Sequence, residues 1–166
     1  MKKPAIIILS FIALSVLISC GGGSDSEEKE NPLIKEQMED AKGDPKGIGE
    51  TKHVELTDPL DAAMIKSGEG VYNMKCSACH KLTDQRVVGP GWAGVTNNRR
   101  PEWIMNMITN VDVMLSEDPE AQKLLEECLT RMPNQGVNLE DARSLVEFMR
   151  DNDMKMVGSK DGAVNQ

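Results

Sequence analysis

Residues 73–82 read NMKCSACHKL, and this stretch decides how the chain folds. It places Cys76, Cys79 and His80 within five positions of a chain that contains only two histidines and four cysteines. On a helical turn, thiols three residues apart lie on one side, and here an imidazole follows the second thiol directly. The spacing is typical of a site that holds a metal or a cofactor, and the rest of the chain decides between them.

Cys-x-x-Cys-His is the sequence pattern of c-type haem attachment. The thiols of Cys76 and Cys79 can add to two vinyl groups of a protoporphyrin, and His80 can bind the iron. A thioredoxin-like motif requires a βαβ setting, which the sequence does not indicate. A structural zinc site requires a second ligand pair, for which only His53 and Cys128 remain. Apart from a chance match, the pattern therefore predicts one covalently bound haem c.

The second axial position of the iron requires a ligand from elsewhere in the chain. A second histidine could only be His53, which lies in a polar region before the motif. A methionine suits haem iron, and Met132 in LTRMPNQG is the strongest of eleven methionines because Pro133 prevents the helix from continuing. Met114 is the main rival, since the sequence also predicts a loop there. We expect Met132 to be the ligand.

The hydrophobic pattern indicates helices on both sides of the motif and no strand. Asp58 and Pro59 predict the start of a helix that runs to the motif, and residues 84–99 read as a loop. Further helices are predicted from Pro101, near residues 116–119 and after Asn138. Five aromatic residues in the whole chain leave a thin core, which favours a domain stabilised by a cofactor.

The first residues read as an export leader. Two lysines precede an apolar run at residues 5–18, which is short for a membrane span and suits a signal peptide. The run ends in LISC, which resembles the bacterial lipobox. We therefore expect residues 1–19 to be a signal peptide and Cys20 to be lipidated, which gives an exported, periplasm-facing lipoprotein anchored to a bacterial membrane. The alternative is a plain signal peptide or a short buried helix.

Composition divides the rest of the chain into three parts. Residues 20–56 form a flexible acidic tether, although composition leaves open whether residues 45–56 lie against the head. Residues 57–157 form the folded head, and residues 158–166 form a polar tail that we expect to fray. The net charge of −8 becomes about −10 without the leader, which excludes general nucleic-acid binding.

From Pro59 to Asp153 the chain resembles class I cytochromes c. The shared marks are a glycine and an aromatic before the first cysteine, an aromatic in the last helix, a Gly-Pro turn after the histidine and a Met-Pro pair: Gly68, Tyr72, Phe148, Gly89-Pro90 and Met132-Pro133. The resemblance implies an all-α class I cytochrome c fold with four to five helices packed around one covalently attached haem. It also implies that the Pro90 carbonyl accepts the proton of the proximal imidazole.

Three further side chains are candidates for contacts with the haem propionates, because buried carboxylates need donors: Trp92, Arg99 and Arg100. The alternative for the two arginines is an ordinary solvated position. We interpret Cys128 as a small buried hydrophobic residue, with an intermolecular disulfide or a redox-switchable iron ligand as the alternatives.

Filled axial sites indicate an electron carrier and not an enzyme. We expect it to transfer single electrons from membrane or periplasmic donors to a terminal reductase or oxidase. VGPGWAGVTNN, PEWIMNMI and MPNQ resemble small lipid-anchored cytochromes of nitrous oxide reductase systems, which favours that acceptor. The alternative is a haem-based sensor or a peroxidase-like protein with a labile sixth ligand.

Charge suggests how a partner docks. Residues 71–101 carry five basic residues against Asp84, a net charge of +4, whereas residues 112–153 carry a net charge of −7. The haem edge would then dock on an acidic patch of the donor or acceptor. The alternative is a simple scatter of charges over a solvated surface.

Overall fold

The computed structural model describes residues 43–165. They contain six α-helices: α1 Ala62–Val71, α2 Val95–Asn98, α3 Pro101–Thr109, α4 Val111–Glu117, α5 Pro119–Cys128 and α6 Leu139–Met156. A π-helical turn, Tyr72–Cys76, continues α1, and a 3-10 helix, Gly162–Asn165, lies near the C-terminus. No strand occurs in this part of the chain, so the prediction of an all-α fold is confirmed. Two short helices, α2 and α4, form where loops were expected, which raises the count above four to five.

The first helix begins at Ala62, although the sequence predicted that it begins at Asp58. Asp61 is its N-cap, because its carboxylate accepts hydrogen bonds from the backbone N–H groups of Ala63 and Met64 at 2.8 and 2.9 Å. The backbone N–H of Asp61 in turn donates to Glu147 on α6. Asp61, which also contacts the last helix, is therefore the N-cap, and Asp58 is not.

Helices α1 and α6 cross at Gly68. A Cβ atom on Gly68 would lie 2.6 Å from the carbonyl carbon of Ser144 and 2.8 Å from the Cβ of Phe148. Both distances are far below the 3.5–4.0 Å of an ordinary carbon contact. Glycine is required because the backbones of the two helices touch here.

Helix α4 buries Met114 completely, although the sequence predicted a loop at this position. The Met114 sulfur accepts a hydrogen bond from the backbone N–H of Ile48 at 3.0 Å. Asp118 ends α4 and caps α5 through the N–H of Ala121, and it also accepts from the indole N–H of Trp103. The α4–α5 corner is thus fixed by buried polar contacts that hydrophobic periodicity does not report.

Residues 43–56 pack against the head, where composition predicts a flexible tether. Asn106 on α3 is fully buried; its amide nitrogen donates to the carbonyls of Lys46 and Thr51, and its amide oxygen accepts from the Thr51 N–H. Val54 lies in the hydrophobic core. The signal peptide at residues 1–19, the lipidated Cys20 and most of the tether lie outside the described residues.

A buried ionic network joins α6 to its surroundings. Glu147 accepts hydrogen bonds from Thr57 and Arg143, both at 2.7 Å, and from Arg150 at 3.0 Å. Burial raises the pKa of Glu147, but these hydrogen bonds and the positive charge of Arg150 outweigh it, so the pKa lies below its ordinary value. Arg150 also binds Asp161 at 2.8 Å, which holds the C-terminal segment that we expected to fray.

Among the described residues, no helix has the length and apolar character needed to cross a membrane.

Candidate functional site

The Cys-x-x-Cys-His motif forms a compact turn at the end of the π-helical segment. The N–H of Ser77 bonds to the carbonyl of Tyr72 at 2.9 Å, and the N–H groups of Cys79 and His80 both bond to the carbonyl of Cys76, at 3.1 and 2.9 Å. The Tyr72 hydroxyl donates to the His80 carbonyl at 2.8 Å. These bonds bring two thiols and one imidazole together without long-range contacts.

Both motif cysteines are free and half-buried. Burial raises the pKa of Cys76 to about 11, although the charge of Lys75 opposes the shift. Cys76 is therefore a protonated thiol at neutral pH. A protonated thiol is a poor metal ligand and a poor partner for disulfide exchange, because both reactions use the thiolate.

The imidazole of His80 is held from the side of residues 89–90. Its Nδ1 lies 2.8 Å from the carbonyl oxygen of Pro90, and a Cβ on Gly89 would lie 2.8 Å from Nδ1 and 2.9 Å from Nε2. Burial lowers the pKa of His80, and the bond to Pro90 opposes that shift only in part. The ring is therefore neutral, and when Nδ1–H donates to Pro90 the lone pair lies on Nε2.

Trp92 forms an aromatic wall beside the imidazole. Its ring centroid is 5.5 Å from that of His80 and 5.0 Å from that of Tyr72, and Tyr72 continues the contact to Phe148 at 5.5 Å. The indole is buried. The wall connects the site to the crossing of α1 and α6.

An apolar cavity of about 400 Å³ lies beside the motif, lined in part by His80, Pro90 and Trp92. The volume lies within the range of small-molecule and cofactor sites. Cys79, His80, Trp92 and Met132 contribute to its wall, and most of the remaining lining comes from apolar side chains of α3 to α6. A smaller cavity of about 40 Å³ shares Cys79, His80 and Met132 and adds Cys76. Two thiols, an imidazole, a thioether and apolar walls fit a large, flat, mostly apolar group such as haem c.

Three methionines line the larger cavity, and Met132 is the one that lies outside a helix. Met107 and Met149 approach it from α3 and α6, whereas Met132 belongs to the segment between α5 and α6. Met114 does not line it. His53 is exposed and pairs with Glu55 at 2.7 Å. Of the candidates weighed from the sequence, the structure thus brings Met132 and Cys128 to the same cavity as His80, and His53 and Met114 do not line it.

Arg99 and Arg100 are not among the residues that line the cavity. Arg99 pairs with Glu120 at 2.9 Å and lies over the ring of Trp103, and Arg100 pairs with Glu102 at 3.5 Å. Arg131 was not predicted at the site, but it is the basic residue that lines the larger cavity, and it also pairs with Asp112. The only signal for it in the sequence was its position next to Met132.

Comparisons with known proteins place the chain among cytochromes c. Residues 63–149 match the family model described as cytochrome C oxidase, cbb3-type, subunit III. Among solved structures the chain is similar to cytochrome c from Rhodothermus marinus, with 34% identity and a TM-score of 0.65 over 68% of this chain and 100% of that one. It is also similar to an engineered cytochrome c from the same organism, Rma TDE, bound to a carbene intermediate, with 33% identity and a TM-score of 0.60 over 66% of this chain and 98% of that one. A search of curated proteins finds no match.

Proposed function

The chain belongs to the class I c-type cytochromes, in the family described as cytochrome c oxidase, cbb3-type, subunit III, and from this premise we propose that Cys76, Cys79, His80 and Met132 hold its haem for single-electron transfer. One covalently bound haem c is the cofactor of this chain. When bound, haem iron supplies a reversible one-electron couple. The observation that carries the ligand assignment is the cavity that His80 and Met132 share.

Each of the four side chains has a distinct task. Cys76 and Cys79 hold the cofactor through thioether bonds, so that an exported protein does not lose it. His80 coordinates through Nε2, because its Nδ1 proton is engaged by the Pro90 carbonyl. Met132 supplies a soft sulfur ligand from a segment whose backbone Pro133 keeps out of a helix.

The surroundings of these four side chains favour a carrier over a catalyst. If His80 and Met132 both bound the iron, no coordination site would remain open for a substrate. The apolar walls exclude water, and a buried site with methionine ligation raises the reduction potential. A high potential suits delivery to a terminal reductase or oxidase, and the narrower sequence resemblance favours nitrous oxide reductase as the acceptor.

The protein acts outside the cytoplasm, anchored by lipid at Cys20. The LISC segment and the preceding apolar run support this location. Cys20→Ala should move the protein from the membrane fraction to the soluble fraction without changing its spectrum. Retention of the variant in the membrane fraction would contradict the anchor.

Docking of redox partners uses the edge of the site near the motif. Of the five basic residues expected there, three pair with carboxylates of the same chain: Arg86, Arg99 and Arg100. Lys75, whose ammonium donates to the Gln135 carbonyl at 2.8 Å, and Lys81 have no carboxylate partner among the described residues. They are the cations available to an acidic patch. Charge reversal at both lysines should slow electron transfer, most strongly at low salt.

A haem-based sensor or a peroxidase-like protein is the second candidate. A related engineered cytochrome binds a carbene, which favours the idea that such a cavity can admit an added ligand. Optical spectra of the reduced protein with carbon monoxide separate the two functions. A carrier should bind the gas weakly, whereas strong binding by the wild type would favour the second candidate.

A further inference from the structure

Residues 81–96, which we name the proximal loop, carry the Pro90 carbonyl to His80. Backbone hydrogen bonds close the loop on itself and on the motif. The N–H of Gly89 donates to the carbonyl of Cys79 at 2.9 Å, and the N–H of Trp92 donates to the carbonyl of Lys81 at 2.8 Å. Pro90 lies between these two bonds, so its carbonyl moves only if the loop moves.

Adjacent residues of α6 hold both ends of this loop. Asp153 is fully buried, and its carboxylate accepts hydrogen bonds from the N–H of Gly94, the N–H of Thr96 and the hydroxyl of Thr96, at 2.8, 2.8 and 2.7 Å. The amide of Asn152 donates to the carbonyl of Leu82 at 2.9 Å. Gly94 is the N-cap of α2 and has no side chain to cap it, so the carboxylate from α6 performs that task.

We infer that Asp153, assisted by Asn152, is a positioning residue for the iron ligand: by holding the proximal loop, it sets the length of the hydrogen bond between His80 Nδ1 and the Pro90 carbonyl. The inference rests on the proposed function, since it concerns the ligand that His80 provides. It assigns a role to a carboxylate that neither touches the imidazole nor lines the cavity.

The fit between loop and imidazole leaves little slack. The backbone of Gly89 is so close to the ring that even a Cβ there would lie only 2.8 Å from Nδ1. The loop therefore cannot shift toward the ring, and a loosened loop moves away from it. A longer bond to the Pro90 carbonyl makes the imidazole a weaker donor to iron. A weaker donor stabilises the ferric state less, so the midpoint potential rises.

The structure provides a matched control on the same helix. Glu147 is as completely buried as Asp153 and also accepts several hydrogen bonds, but its partners are Thr57, Asp61, Arg143 and Arg150. None of these partners belongs to the proximal loop. Asp153→Asn and Glu147→Gln both replace a buried carboxylate by an amide in α6, and only the first does so at the loop.

The test uses the haem-loaded, full-length protein and two readouts. In Asp153→Asn the new amide N–H₂ faces donors, so at least one bond to the loop is lost. We expect the midpoint potential to rise, by up to about 59 mV if the ferric-to-ferrous ratio changes tenfold. We also expect the Gly89 and Trp92 amides to exchange hydrogen about tenfold faster relative to amides of the α6 core, because a charge-assisted hydrogen bond is worth that factor or more.

Thr96→Val removes the hydroxyl bond to Asp153, together with the 3.3 Å bond that the hydroxyl accepts from the Asp161 N–H, but it keeps both backbone bonds to the carboxylate. It should shift both readouts in the same direction by less. It carries the test if Asp153→Asn fails to fold. Glu147→Gln should lower stability and speed exchange in the α6 core, but it should raise neither the midpoint potential nor the exchange of the Gly89 and Trp92 amides relative to that core. The inference is overturned if the loop variants match the wild type in potential and relative exchange, or if Glu147→Gln changes them equally. A wild type without a reversible one-electron couple would instead contradict the electron-carrier function. Relative hydrogen exchange would still test whether Asp153 holds the proximal loop.

Discussion

Adding a single methyl group at the crossing of α1 and α6 tests the packing on which the fold depends. Gly68→Ala would place its Cβ 2.6 Å from the Ser144 carbonyl carbon and 2.8 Å from Phe148 Cβ. An ordinary carbon contact needs at least about 3.5 Å, so the helices must separate by roughly 1 Å. The obstacle includes backbone, which cannot change rotamer.

The magnitude follows from two opposing effects. Overpacking a core costs about 1–3 kcal/mol, and a clash with backbone belongs at or above the upper end of that range. Replacing glycine by alanine in a helix returns about 1 kcal/mol. We therefore expect Gly68→Ala to destabilise the protein by about 2 kcal/mol or more.

Gly70 provides the control in the same helix. A Cβ on Gly70 meets no atom within 4 Å. Gly70→Ala should therefore stabilise the protein by up to about 1 kcal/mol through helix propensity alone. Guanidinium denaturation of the haem-loaded protein, followed by far-ultraviolet circular dichroism, should show the two midpoints moving in opposite directions with little change in slope. Equal midpoints, or a Gly68→Ala variant as stable as the wild type, would refute the reasoning.

Three further substitutions test other contacts. Glu147→Gln should cost about 3–5 kcal/mol because it breaks a buried ionic network. It should also flatten the acid side of the stability profile, since the lowered pKa of Glu147 gives stability that is present above its ordinary pKa and lost as pH falls through the folded value. Urea midpoints measured across pH check both effects, and an unchanged acid side of the profile would contradict the second. Gly89→Ala should push the loop away from His80 and shift the midpoint potential upward in a redox titration, whereas an unchanged potential would show that the loop has slack. Asp118→Ala should cost about 0.5–2 kcal/mol for the lost cap alone, while the exposed Asp112→Ala should stay within about 0.5 kcal/mol; equal losses in thermal unfolding would contradict the buried role of Asp118.

Local chemistry made the motif and the last helix predictable. Asn138 caps α6 through the N–H of Asp141 at 2.8 Å, as the capping pattern indicated. The haem c cofactor was predicted from the Cys-x-x-Cys-His motif, and the class I cytochrome c fold was implied by a resemblance that includes Gly68; both are confirmed. These features depend on residues that are neighbours in sequence or on one backbone contact.

Features that depend on contacts between distant segments were not predictable. Asp61 and not Asp58 caps α1, a choice that the sequence around the two residues does not make. Residues 43–56 look like a tether by composition, but the buried amide of Asn106 binds their backbone. Arg99 and Arg100 were expected near the cofactor because they are donors, whereas the structure pairs them with Glu120 and Glu102. In each case except that of Arg100, whose partner lies two residues away, a partner far along the chain determines the result.

The identity of the sixth ligand decides between a carrier and the alternatives, and one spectrum tests it most directly. The oxidised wild type should show the sulfur-to-iron charge-transfer band of methionine ligation. Met132→Ala should abolish the band, and Met107→Leu and Met149→Leu, which replace the other two cavity methionines, should retain it. If the band persists in Met132→Ala, or is lost only when Met107 or Met149 is replaced, the assignment of Met132 as the iron ligand is wrong.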